Sequence, residues 1–441
     1  MIIGLAIFAL AILVSSYSIA VLSGDERIVS FPFLFSLVHL LYVFPSIVGL
    51  YASDYTWSAY YRFEGVTTDM MAMSACCYLA AMYGYSKSAL YGGRIDLSRI
   101  SINLKALDYL SLMIGFTALL AVFMLARMQG GVASLFVEAS FYDMQLSGPV
   151  VWLLFLARFV YVALACSLVA LSYRPTFFRY GVTLILLIYP ILNVALLYRR
   201  SDLVFLAFMF CFSVVVIRRK RIGRLALLTS CAAVFLAVSV FPALRLDLFN
   251  KQGFTSVKND GDYLTASVES KFDPIIGSEI LSSAARFQRV SNGAPLSGFS
   301  FVPNSFVKQF VPSSIVGKDL KDWLLLGSAN NYEKNAPAGP YQRFDYGYLA
   351  PMGFVESYEA LSWAGGSIFF VIGFFAGRTT NRVRRSPQGL LFYMVVMPYL
   401  LLAATNDINS MPARIFTVWA LSRLYGLITI RRALAKYPLG L

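Results

Sequence analysis

Two adjacent arginines, Arg199 and Arg200, stand between long apolar runs in Tyr198-Arg199-Arg200-Ser201-Asp202. Arginine presents a rigid fork of donors that grips phosphate oxygens in pairs. Ionisable groups beside lipid-length segments are candidates for function, which makes the pair a candidate anion site. The plainer reading is that both side chains snorkel to headgroups. Successive helical residues point about 100° apart, so one arginine would face the site while the other snorkels or pairs with Asp202. Other arginines can join them. Arg245 follows Phe241-Pro242-Ala243-Leu244, Arg286 and Arg289 are three apart, Arg343 lies in a polar stretch, and Arg414 follows Met411-Pro412-Ala413. Residues three apart share a helix face. Each of these alone reads as a solvated surface charge. Together they describe a basic cavity beside the membrane, suited to a pyrophosphate at headgroup level with an apolar tail in lipid.

Acids are scarce outside one long polar segment. Glu356, in Gly353-Phe354-Val355-Glu356-Ser357-Tyr358, stands where that segment returns to apolar chain. A buried carboxylate there can serve as a general base. A carboxylate that opens a helix is equally favoured by the helix dipole. Tyr358 and the rings of Trp323, Tyr332, Tyr341, Phe344, Tyr346 and Tyr348 can stack on sugar faces, although aromatics also gather at membrane interfaces.

The elements that must position these residues follow from composition. The 441 residues are 58% hydrophobic and only 14% charged, with a mean hydropathy of +0.67. Soluble domains carry about 25% charged residues. A bilayer core takes about 20 apolar residues per helix, and the apolar runs lack the alternation of a membrane β-barrel. The expected fold is an all-α polytopic membrane protein of about eleven spans. They are placed at about 1–22, 29–52, 68–86, 108–126, 150–173, 180–198, 203–217, 225–243, 361–377, 388–405 and 415–430. The first is read as a retained helix, since no basic residues precede it. The chain divides into a bundle over 1–245, a large polar loop over 246–360 and closing helices over 361–441. Within the loop, Ser278 to Val290 can form an amphipathic helix and Gly327 to Gly353 reads as irregular chain. Gln129 to Pro149 can lie along the interface. No internal or inverted repeat is visible.

Five basic clusters set the orientation: Lys87 with Arg94, Arg99 and Lys105; Arg174 with Arg179; Arg218 to Arg224; Arg378 to Arg385; and Arg431, Arg432 and Lys436. Cytoplasmic loops hold such excess. An even number of expected spans separates consecutive clusters, so all five fit one side. This puts the N-terminus and the 246–360 loop outside and the C-terminus inside. The net charge of +14 is then a topology signal, and no nucleic acid partner is implied. The single histidine, His39, and the cysteines Cys76, Cys77, Cys166, Cys211 and Cys231 all lie in apolar runs. Hence the large loop has no disulfide framework, no zinc cluster is expected, and no cofactor is called for.

The run Arg199-Arg200-Ser201-Asp202-Leu203 opens an apolar helix. The loop passes through Gly298-Phe299-Ser300-Phe301-Val302-Pro303-Asn304 and Phe310-Val311-Pro312. Then Gly353-Phe354-Val355-Glu356-Ser357-Tyr358 leads to Trp363-Ala364-Gly365-Gly366. With these features the chain resembles the O-antigen and capsular polysaccharide polymerases, the Wzy type of oligosaccharide repeat-unit polymerase. The resemblance spans roughly Arg199 to Gly377 and its motifs are loose. It extends in architecture to the O-antigen ligases, but those rely on a histidine in the external loop, and this loop has none.

The resemblance implies a glycosyltransferase on the outer face of the bacterial inner membrane. Its donor would be a glycan on undecaprenyl pyrophosphate, its acceptor a sugar hydroxyl of another lipid-linked unit, and a chain-length regulator a possible partner. Arginines would stabilise the departing pyrophosphate without a metal, and Glu356 would take the acceptor proton. A ligase-like transferase, a flippase for lipid-linked sugars and a non-catalytic scaffold remain alternatives. The orientation is tested by cysteines introduced at Ser256 and Ser386: an impermeant thiol reagent on intact cells should label Ser256→Cys and spare Ser386→Cys. The reverse pattern overturns it.

Overall fold

The computed structural model describes residues 29–52, 64–89, 102–128, 149–197, 200–219, 278–311, 316–326, 352–383, 385–405 and 408–436, together with Ala9, Ile12 and Gly131. Every regular element among them is helical. The chain runs through α1 (Phe31–Val38), a π turn at His39–Val43, α2 (Phe44–Ala52), α3 (Glu64–Ser88), α4 (Leu104–Met128), α5 (Pro149–Ala157), α6 (Val160–Tyr173) and α7 (Phe177–Leu197). It continues through α8 (Arg200–Phe212), α9 (Ser278–Ser291), α10 (Phe301–Phe310), α11 (Lys318–Leu324), α12 (Gly353–Leu361), α13 (Gly366–Val383), α14 (Pro387–Leu402) and α15 (Met411–Lys436).

Among the described residues, five helical stretches are long and apolar enough to cross a membrane: Phe31–Leu50, Leu104–Met128, Trp152–Tyr173, Phe177–Ala195 and Gly353–Val383. Two shorter apolar ones, Ser201–Ile217 and Pro387–Leu402, accompany them. Their outer faces stay apolar. On α4, Met113, Phe116 and Phe123 are 53%, 68% and 62% exposed, and on α7, Leu184, Ile188 and Ile191 form a similar stripe. A continuous apolar face of this kind has no place in water but matches lipid. The described residues are therefore all-helical in their regular structure, and the chain is a membrane-embedded protein.

The expected spans at 1–22 and 225–243 lie outside the described residues, as does most of the interface stretch 129–149 and of the irregular stretch 327–353. The remaining spans fall on helices, but those at 68–86 and 415–430 lie in α3 and α15, which are not among the membrane-length apolar stretches, and two others are corrected. The 150–173 span is broken by a turn at Arg158–Phe159 into α5 and α6. The 361–377 span begins earlier: α12 starts at Gly353, and Ser362, with φ 55°, turns the chain before α13. Of the loop's aromatics, Phe306 and Phe310 pack edge-on against Phe416, and Phe310 also meets Phe155. Phe299 is exposed.

Hydrogen bonds bring the described basic connections to one end of the bundle. The Asp108 carboxylate accepts both arms of Arg179, at 2.8 and 2.7 Å, and Arg179 also donates to the Arg174 carbonyl at 2.7 Å. Arg218 reaches the Leu171 carbonyl at 3.5 Å. Asn103 donates to the Tyr425 hydroxyl, Gln388 lies against Gly426, and Asn381 donates to the Ser88 carbonyl. Arg179, read from sequence as a loop charge, is buried as a clamp joining α4, α6 and α7. The opposite, distal end carries α9, α10, α12 and the start of α15.

The closest helix pair is α3 with α13. Small residues Cys76, Ala80, Gly84 and Ser88 recur every four residues on α3 and face Gly366, Gly373 and Gly377 of α13. Such spacing lets backbones approach where lipid supplies no hydrophobic drive. A methyl at Gly373 would stand 1.9 Å from the Ala81 carbonyl oxygen, and one at Gly84 would stand 2.1 Å from that of Phe370. Gly373→Leu should therefore cost at least the roughly 1–3 kcal/mol of core overpacking, read as a lower thermal midpoint in detergent. Gly181→Ala, which meets nothing within 4 Å, should leave the midpoint unchanged or higher.

Candidate functional site

Of the sequence candidates, Arg199, Arg245 and Arg343 lie outside the described residues, and Arg200 is the first residue of α8. The others converge on the distal end, but in separate arrangements.

The first is built by α9 on α12. The expected amphipathic helix forms, with Ile280, Ser283, Ala284 and Phe287 buried on one face. Phe287 stacks on Tyr358 at 3.9 Å between ring centroids, and Trp363 meets Tyr358 edge-on. Arg286 grips Glu359 with both arms, one at 2.8 Å, and Arg289 approaches the same carboxylate at 3.6 Å. The Ser283 hydroxyl accepts from Met352 N–H at 2.8 Å. Arg286, Arg289 and Tyr358 thus have a structural part here, docking α9 on the return helix. Glu359, which sequence reading passed over, is the group they share. Its signal was available: a second acid three residues after Glu356, on the same short helix.

The second arrangement surrounds Glu356. Its carboxylate is buried and accepts from Ile408 N–H and, at 2.8 Å, from Asn409 Nδ2. Both oxygens are therefore engaged by the turn that leads into α15. This turn is also pinned by Gly353 N–H on the Ala404 carbonyl at 3.2 Å. The dipole reading of Glu356 fits its place in the first turn of α12. The geometry adds a second task, holding the turn from which Arg414 projects.

The third arrangement gathers Arg414, Arg158, Tyr399, Tyr161 and Asp202. The Arg414 guanidinium lies over the Tyr399 ring at 5.9 Å. Phe205 joins Tyr399 and Tyr161, with ring centroids 4.6 and 4.8 Å away. Arg158, Arg414 and Asp202 all lie within electrostatic reach of the Tyr399 hydroxyl. Asp202 and Tyr161 are 8% and 4% exposed. The Tyr161 hydroxyl faces the Asp202 carboxylate without closing a hydrogen bond of ordinary geometry, and Asp202 Oδ2 has no hydrogen-bond partner. The expected pairing of Asp202 with Arg199 or Arg200 rests on side chains outside the described residues. Asp202 was legible as an acid at the head of an apolar helix, but its neighbours Tyr161 of α6 and Tyr399 of α14 are invisible in sequence.

Chemically, this end of the bundle offers guanidinium groups for an anion, tyrosine rings beside them, and a buried carboxylate. His39, by contrast, is a core residue, with Nδ1 2.9 Å from the Phe35 carbonyl and its ring against Phe35 and Tyr78. Fold and apolar faces define the class: a multi-helix integral membrane protein with a polar cluster at one end. No family model matches the chain, and neither a curated protein nor a solved structure matches it.

The role of Glu356 as a holder of the turn is testable. Glu356→Gln turns an amide toward a donor, leaving a buried group unsatisfied at about 1–3 kcal/mol. Its thermal midpoint in detergent should fall clearly, and Asn409→Ala should follow in the same direction. An unchanged midpoint in both would remove this role.

Proposed function

We propose that the protein is a polysaccharide polymerase of the O-antigen or capsule kind. It would transfer a glycan from undecaprenyl pyrophosphate to a sugar hydroxyl of another lipid-linked repeat unit, at the outer face of a bacterial inner membrane. The observation that carries this reading is the convergence of Arg158, Arg414 and the buried Asp202 on Tyr399, with Asp202 in the first turn of α8, the helix that Arg199 and Arg200 lead into. Departure of a pyrophosphate develops negative charge, and preorganised guanidinium groups stabilise that charge most where water is excluded. An apolar bundle beside the cluster suits a polyprenyl tail. Docked helices of the polar segment, α9 and α10, cover the same end, as a site for sugar chains requires.

A flippase would need polar groups along a path through the bundle. Among the described residues, Arg158 and Asp202 both sit at the distal end, and Arg423 is exposed, over the Trp419 ring. A ligase-like transferase shares the donor chemistry, and acceptor choice separates it from a polymerase.

The test is polymer length on a gel from cells carrying single substitutions, with protein level checked in the same membranes. Loss of a charge-assisted contact that tightens as the leaving group departs should cost about 10²–10³ in rate. Arg199→Ala or Arg200→Ala, and Arg414→Ala, should collapse long chains to single units. Arg→Lys at the working position should fail almost as badly, because the fork is lost. A flippase would instead trap lipid-linked units inside the cell. Normal long-chain polymer from all three alanine variants would sink the reading.

A further inference from the structure

A group that takes a proton from a sugar hydroxyl needs an acceptor oxygen open to that hydroxyl. Glu356 is poorly placed for this, since Ile408 N–H and Asn409 Nδ2 occupy its two oxygens. Asp202 has what Glu356 lacks. Its carboxylate is more than nine-tenths buried, yet Oδ2 accepts nothing. The Tyr161 hydroxyl that faces it is likewise unpartnered; buried polar atoms are usually hydrogen-bonded, and two open ones together mark a place where a hydroxyl arriving from outside can both donate and accept. A carboxylate that served only the helix dipole would gain the same benefit while facing water, and would not need burial beside two tyrosines.

The surroundings fit a hydroxyl-bearing, anion-linked substrate. Tyr161 of α6 and Tyr399 of α14 lie beside Asp202; Tyr189 of α7 lies beside Tyr161, and Arg414 of α15 and Arg158, from the turn that interrupts the α5–α6 span, lie beside Tyr399. Arg158 stands at the turn that separates α5 from α6 and is exposed. Two arginines beside Tyr399 and an acid beside Tyr161 bring together groups for both halves of a transfer.

We propose that Asp202, rather than Glu356, is the general base for the acceptor hydroxyl, with Arg158 and Arg414 flanking the leaving pyrophosphate. This rests on the polymerase reading above. In the step, the acceptor oxygen bonds to the anomeric carbon, and the bond from that carbon to the pyrophosphate oxygen breaks. The electron pair leaves with the pyrophosphate, and the hydroxyl proton passes to Asp202. Tyr161 orients the carboxylate and is a positioning residue.

The experiment uses full-length protein in lipid nanodiscs. The probe is the lipid-pyrophosphate-linked repeat unit extracted from cells lacking this protein, and initial rates of chain extension are followed across pH. Asp202→Asn should lower kcat by about 10²–10⁴, leave KM little changed and abolish the acid limb of the rate profile, with Asp202→Glu restoring part of the rate. A wild-type kcat, or an acid limb that persists in Asp202→Asn and disappears in Glu356→Gln, overturns the proposal. If that happens while the arginine variants still stop extension, the polymerase reading stands and only the base is wrong. If wild-type protein does not extend the units, both fall. Should Asp202→Asn not accumulate, Tyr161→Phe decides: the acid limb should move, and an unmoved limb overturns the proposal.

Discussion

Gly84 and Gly373 allow α3 and α13 to approach until backbone meets backbone, and much of the distal end depends on that contact. In lipid there is no gain from hiding apolar surface, because the solvent is itself apolar, so helices associate by close packing and internal hydrogen bonds. The small-residue stripe continues upward to Gly365, whose place against the Ser357 carbonyl leaves no room for a side chain. There the chain turns at Ser362 and runs back as α12. Glu356, Tyr358 and Glu359 therefore take their positions from a packing seam that begins at the other end of the molecule.

The second constraint is that charge inside such a bundle must be matched. At the basic end, Asp108 and Arg179 meet as a two-armed pair, and the spare arm of Arg179 satisfies carbonyls at the end of α6. At the distal end, Glu359 holds Arg286 and Arg289, and Glu356 holds the turn before α15. These groups are spent on structure. Against that background the Asp202 Oδ2 and the Tyr161 hydroxyl beside it are among the few buried polar atoms of the described residues left unmatched, and two such atoms in one cluster are where chemistry is most economically sought.

The functional reading thus shifts weight within the set of residues that sequence suggested. Arg414 gains a defined neighbourhood, and Arg158 joins it as the residue at a helix break. Arg286, Arg289 and Tyr358 move from candidate substrate contacts to the docking of α9. Fixing α9 over α12 still matters to a site at this end, because it sets which faces of the cluster remain accessible.

Composition and apolar run length determined by themselves that this chain is helical and membrane-embedded, since lipid admits no unpaired backbone and charge is costly there. The positions of the basic clusters determined that they belong together, and the helices do bring the described ones to one end. The amphipathic period of Ser278 to Val290 determined a helix in the polar segment, because its apolar residues recur on one face. Which carboxylate is occupied and which is open was decided only by tertiary structure. Glu356 and Asp202 look alike in sequence, each an acid at the head of an apolar helix. Their difference lies in what packs beside them: the backbone of residue 408 for one, Tyr161 of α6 and Tyr399 of α14 for the other. Hydrogen bonding acts over about 3 Å in space, and the sequence separation of Glu356 from Ile408, or of Asp202 from Tyr399, carries no trace of it.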